Sequence, residues 1–151
     1  MTRITGQLPD SLLNLLRNGC PALLLTIGDD GFPATAYTWI VALTPTTIRF
    51  GADHGSATLA NLEREQRASL QIIAPGNLIF LVKGSASQLK AQIEATPFKM
   101  AMMALEVREV KDQSWPGVSV QPLGYEWPLE QREAMVAMET AVYNEMREWN
   151  A

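Results

Sequence analysis

The chain has 151 residues, 47% apolar and 19% charged, with a net charge of −4. That size suits one domain, 1–151, with a sizeable core, and the acidic balance, without a Lys/Arg block or stripe, argues against nucleic acid and anionic membrane surfaces as partners. No apolar run approaches the roughly 18 residues a bilayer span needs, the opening MTRITGQLPD lacks a secretory signal's apolar region, and the single cysteine, Cys20, has no disulfide partner, so a cytoplasmic protein is expected.

In chain order, Asp10 is placed to cap a helix whose Leu12, Leu15 and Leu16 share a face, and Gly19 stops it. Residues 22–27 form a continuous apolar run, read as a buried strand, and Asp30-Gly31 is a hairpin signal into a second strand over 34–43. On that strand Tyr37, Trp39, Val41 and Leu43 fall on one face. Thr44-Pro45-Thr46 turns into a third strand over 47–51, with Ile48 and Phe50 on one face and Arg49 on the other. A helix over 56–64 precedes a fourth strand over 68–73, and Ala74-Pro75-Gly76-Asn77 turns into a fifth over 78–89, bent at Gly84. A sixth strand over 100–110 is followed by a Pro- and Gly-bearing loop over 114–128 and a helix over 129–149. Met135, Met138, Val142, Met146 and Trp149 make an apolar stripe on that helix. Short strands joined by tight turns predict a mainly β fold, an antiparallel barrel over about 20–113 with the helices flanking it.

No Ser/His/Asp constellation, Cys/His metal spacing, Walker loop or GxGxxG is present, so no metal site is expected, no catalytic residue is assigned, and any chemistry falls to a bound cofactor. The most informative stretch is FGADHGSATLANLEREQRASL, from Phe50 to Leu70. A strand ends in a Gly-rich turn there and a helix opens at Ser56. A helix N-terminus offers free N–H groups and a positive dipole end, which suits a phosphate, and Ser56 and Thr58 add hydroxyls, although the same residues cap helices with no ligand at all.

The helix LLNLLRNG, the hairpin around DDGFP, the stretch IRFGADHGSATLANLEREQRASL and the strand LIFLVKGSASQL together resemble the FMN-binding split-barrel family related to pyridoxamine 5′-phosphate oxidase, over residues 12–111. The resemblance implies a six-stranded split barrel, a homodimer and FMN in a groove between subunits; other members use a deazaflavin, haem or flavin reductase chemistry. It also puts Thr35, Tyr37 and Trp39 on the strand whose residues lie beside the flavin; an aromatic on a barrel strand is more often core, which is the reading for Trp39, while Thr35 and Tyr37 are either flavin neighbours or core. Where the family commonly reads Ser-x-Lys-x-x-Asn-Leu, this chain reads Ser56-Ala57-Thr58-Leu59-Ala60-Asn61-Leu62. Thr58 stands in place of the lysine that pairs with the phosphate, and a neutral hydrogen bond is about half as strong as a charge-assisted one.

A compensating cation is then looked for at Arg49 or Arg67, and Arg49 ranks first because its strand leads directly into the Gly-rich turn. His54, the only histidine, is either a polar turn residue or a neighbour of the cofactor ring able to move a proton; as a haem ligand it has no second axial-ligand pattern to support it. Cys20 reads as a buried, inert thiol and Met100, Met102 and Met103 as filler. Trp115 and Trp127 either lid the groove of the other subunit or anchor their loop. Two functions compete: an FMN-binding oxidoreductase of unknown substrate, and a cofactor-poor split-barrel dimer that binds another small anion or a protein partner.

Overall fold

The computed structural model describes residues 3–150. They run in chain order as β1 (Arg3–Thr5), α1 (Asp10–Arg17), β2 (Cys20–Ile27), β3 (Pro33–Thr44), β4 (Thr47–Asp53), α2 (Ala57–Glu65), β5 (Arg67–Ala74), β6 (Leu78–Lys90), β7 (Met100–Asp112) and α3 (Arg132–Glu148). Neighbouring strands pair antiparallel in the order β7-β4-β3-β2-β5-β6, and β6 pairs back onto β7. The expected six-stranded antiparallel barrel is therefore closed, with no free sheet edge among these strands. The strand β1 lies outside the prediction. It pairs with the far end of β7, Arg3 opposite Asp112, beyond the reach of β4, and three residues are too few to show an alternating pattern.

Local chemistry sets the turns. Gly31 takes φ +82° in the β2–β3 turn, and the Asp30 carboxylate accepts the Phe32 N–H at 3.0 Å. Burial alternates strictly along β2 and β5, which puts Ala22, Leu24, Leu70 and Ile72 inside with Ile40, Ile48 and Phe50. Leu12, Leu13 and Leu16 of α1 and Leu59 and Leu62 of α2 join that core. Leu13 is buried where the sequence pointed to Leu15, and Pro9 rather than Asp10 is the N-cap residue of α1. Asp10 sits in the first turn, where its charge complements the helix dipole.

Residues Thr38 to Ala42 of β3 are buried on both faces. Ile40 and Ala42 point into the barrel, while Trp39 and Val41 point outward and form a second core with Met100, Met102 and Ile93. The cover is α3, through Val142 and Met146. The expected stripe is thus spent mainly on the chain's own barrel, with Met135 and Met138 only half-buried. The helix starts at Arg132, after Leu129 to Gln131 form turns, so it is shorter than the 129–149 span expected.

The C-terminal end of α3 is anchored by charge. Arg49 Nη1 donates to the Met146 and Trp149 carbonyls at 3.0 and 2.5 Å, satisfying acceptors that a helix end leaves open. The guanidinium lies 5.8 Å from the Trp149 ring centroid and Lys90 Nζ lies 5.7 Å from it. Lys90 also pairs with Glu145 at 2.8 Å, and Glu145 accepts the backbone N–H groups of Glu94 and Ala95. Burial works against the Glu145 charge, but the Lys90 bond and the two amides outweigh it and hold its pKa below the usual value.

Two outcomes test these packing claims. A Cβ on Gly84 would stand 2.1 Å from the Glu106 carbonyl oxygen on β7, where backbone cannot yield cheaply. Gly84→Ala should cost about 2–3 kcal/mol in chemical denaturation, and an unchanged midpoint would show that the β6–β7 seam can relax. The depressed Glu145 pKa means that its contribution is full above the unfolded value, about 4.3, and is lost as pH falls through the lower folded value. Thermal unfolding of Glu145→Gln should show a loss of roughly 1–3 kcal/mol at neutral pH and a flatter acid limb than the parent; parallel acid limbs would remove Glu145 from the account.

Candidate functional site

The face of β3 that α3 leaves uncovered becomes one wall of a groove. Moving along β3 from Trp39 toward the hairpin, the outward residues are Tyr37, 59% exposed, and then Thr35, also exposed. Opposite them, residues 125–127 lay two aromatic rings against the sheet, and Phe98 closes a third side. The groove encloses about 480 Å³ and is walled by Tyr37, Trp39, Phe98, Tyr125 and Trp127. Tyr37 meets Tyr125 at 86° and Tyr125 meets Trp127 at 81°, both edge-to-face, while Trp39 stacks on Phe98 with centroids 6.3 Å apart.

A carboxylate on α3 fixes these rings. Glu139 accepts from Trp39 Nε1 at 3.1 Å and from the Tyr125 hydroxyl at 2.6 Å on one oxygen, and from Trp127 Nε1 on the other. Trp39 Nε1 also donates to the Tyr125 hydroxyl oxygen at 2.5 Å. Burial, and then the bond to Glu139, push the Tyr125 pKa up, so the phenol stays neutral at physiological pH. Trp39 is therefore both core, as the sequence indicated, and groove wall. Trp127 bonds to Glu139 and lines the groove of its own chain. The Glu139 hub was out of reach of sequence reasoning, because its partner Trp39 lies 100 residues away.

The groove carries two charged residues, Asp53 at the end of β4 and Glu126, and both are acidic. The Asp53 carbonyl accepts the Ser56 hydroxyl at 2.5 Å, so the groove adjoins the N-terminus of α2. Ser56 caps that helix by accepting the Leu59 N–H at 3.3 Å. Thr58, two residues on in the first turn of the helix, is half-buried. His54 is exposed, with Nε2 2.5 Å from the Ala91 carbonyl oxygen, so it carries its proton there and pins residues 91–99 beside the groove.

The two arginines lie elsewhere. Arg49 does share an outward face with Gly51, but that face runs under α3, where the C-terminal carbonyls take its guanidinium, and burial lowers its pKa. In this chain its visible role is to cap a helix rather than to face Ser56. Arg67 pairs with Glu65 at 3.3 Å and lines a separate cleft of about 910 Å³ with Lys83 and Arg108. Cys20 is buried and its thiol is pushed up to about 12, in keeping with an inert side chain. Among the described residues no group of His, Cys, Asp and Glu could hold a metal ion, and no helix is long and apolar enough to cross a membrane.

Comparison with known proteins places this geometry. No curated protein matches the chain. Solved structures share its fold at low identity. A candidate pyridoxamine 5′-phosphate oxidase from Lactobacillus delbrueckii superposes with a TM-score of 0.58 at 21% identity, over 70% of this chain and 94% of that one. An F420 reductase gives 0.59 at 14% identity, over 68% and 98%. HupZ from Group A Streptococcus gives 0.59 at 13% identity, over 78% and 99%. The family model described as pyridoxamine 5′-phosphate oxidase matches residues 8–121, which takes in the whole barrel, and the chain belongs to the pyridoxamine 5′-phosphate oxidase family of split-barrel proteins.

Proposed function

We propose that the protein is a homodimeric split-barrel protein that seats a flat aromatic ligand in the groove, with FMN the cofactor its family implies. The observation that carries this reading is the juxtaposition of five aromatic walls with the start of α2, through Asp53 and Ser56. Rings at right angles offer stacking and edge contacts to an isoalloxazine. The phosphate end fits poorly. Thr58 carries no charge, Arg49 and Arg67 are engaged elsewhere, and Asp53 and Glu126 repel an anion. A bound flavin supplies hydride or electron transfer; the chain supplies the stacking surface and excludes water from it. Without a flavin, the alternative of a cofactor-poor dimer binding another small ligand applies, and the acidic lining favours it.

The dimer rests on the outer face of β2, β5 and β6. Across it run Tyr37, Leu23, Gln71 and Leu81 in register, with Leu23, Gln71 and Leu81 half-buried and Tyr37 open. Leu25 and Ile73 extend this sheet face, and Phe32 is 71% exposed at the hairpin. A stable interface needs about 800 Å² per partner, which an apolar sheet face of this kind can supply.

Two measurements follow. FMN titration by flavin fluorescence should give weak binding that Thr58→Lys tightens several-fold, since a charged hydrogen bond exceeds a neutral one by about 1 kcal/mol. No gain in a folded variant would place the phosphate elsewhere. Sedimentation equilibrium at micromolar concentration should show a dimer that Leu23→Glu dissociates; a monomer for the parent chain would remove the dimer from the proposal.

A further inference from the structure

We infer that the aromatic groove is a cage for a small methylated ammonium ion rather than for an anionic cofactor. The inference rests on the groove being the ligand site, and differs from the reading above in the charge of the ligand. Indole and phenol faces attract a cation within about 6 Å of the ring centroid. Here Trp39, Trp127, Tyr37 and Tyr125 stand around one space, with the Tyr37–Tyr125 and Tyr125–Trp127 pairs near 90°. Perpendicular walls let more than one ring face meet a compact, roughly spherical group.

Charge points the same way. Asp53 and Glu126 line the groove, and Glu139 lies directly behind three of its rings. Each N–H or O–H that donates to the Glu139 carboxylate polarises its ring toward a more negative face. Arg132 donates to the Trp127 carbonyl at 3.3 Å, lies 3.9 Å from Glu126, and lines the adjoining cleft instead of this groove. The field inside is therefore negative, and the phosphate of a nucleotide would enter against it.

Hydrogen bonding selects among cations. Glu139 is already taken up by ring donors, so the acceptors left at the groove are the Asp53 and Glu126 carboxylates, beside walls of aromatic carbon and the Met100 thioether. Two carboxylates replace only part of the water that a strongly hydrated primary ammonium holds through its three N–H donors. A quaternary ammonium has none, so it gives up little on entering and keeps its attraction to the ring faces.

Isothermal titration of the full chain with choline, its neutral carbon isostere 3,3-dimethylbutan-1-ol and FMN tests this. Choline should bind at least about tenfold more tightly than the isostere. Tyr37→Ala and Glu126→Lys, both at exposed positions, should each weaken choline by about threefold or more with unchanged thermal unfolding. Equal affinity for choline and the isostere, or retention of choline by both variants, overturns the cage. FMN binding in the groove more tightly than choline overturns the cation assignment and leaves the groove as the ligand site. Binding by none of the three overturns both.

Discussion

The organisation of the molecule depends on a strand that is buried on both faces. Closing six strands into a barrel hides one face of each and leaves the other in water. On β3 the outward residues are Trp39 and Val41, which together with Met100 and Met102 make an apolar surface too large to leave exposed. Residues 91–99 and α3 cover it, and the cover ends where Tyr37 begins. The groove is the edge of that cover. Its walls are what remains of the outer core once the helix has run past, and its depth is set by how residues 125–127 return to the sheet.

Holding α3 in place is for this reason part of building the site. The helix is pinned at its C-terminal end by Arg49 and Lys90 and near its middle by Glu139, which binds β3 through Trp39 and the loop through Tyr125 and Trp127. A hydrogen bond to an ionised group is worth more than a neutral one, about 1.5–3 kcal/mol against 0.5–1.5, and Glu139 takes three. Loss of that carboxylate would release two indoles and a phenol together, so packing and ligand geometry are coupled through one side chain.

Much of this was legible in the sequence and some of it was not, for physical reasons. The barrel was, because the continuous apolar run over 22–27 and the Asp30-Gly31 and Pro75-Gly76 turns are local signals. The Ser56 cap and the start of α2 were legible from one hydroxyl at a strand–helix junction. Arg49 shows where local reading stops. Alternation correctly put it on the outward face with Gly51, but what that face meets is the end of a helix almost 100 residues later. A buried guanidinium also satisfies open carbonyls at a helix end as readily as a phosphate, and nothing within its own strand distinguishes the two. Tyr125 and Glu139 were passed over for the same reason, since a tyrosine in a Pro-rich loop and a glutamate on a helix are ordinary until the fold brings them to Trp39.

The distribution of charge around the barrel completes the picture. The net charge of −4 is not spread evenly. Arg67, Lys83 and Arg108 gather at one cleft, where Glu65, Glu109 and Ser85 engage them, while Asp53, Glu126 and Glu139 gather at the groove. Exposed pairs of the first kind are worth little, and with three cations facing two carboxylates that cleft keeps a net positive charge. Among the described residues Asp53 and Glu139 pair with no cation and Glu126 only touches Arg132 at 3.9 Å, so much of their field is left standing and is screened mainly by salt, over about 8 Å at physiological strength. The Thr58 position, in the first turn of the helix that starts beside Asp53, counts for more than a single hydrogen bond, because a lysine there would have offset part of an acidic field as well as met a phosphate. With threonine in place the field stands, and the shape and the charge of the groove favour the same kind of occupant.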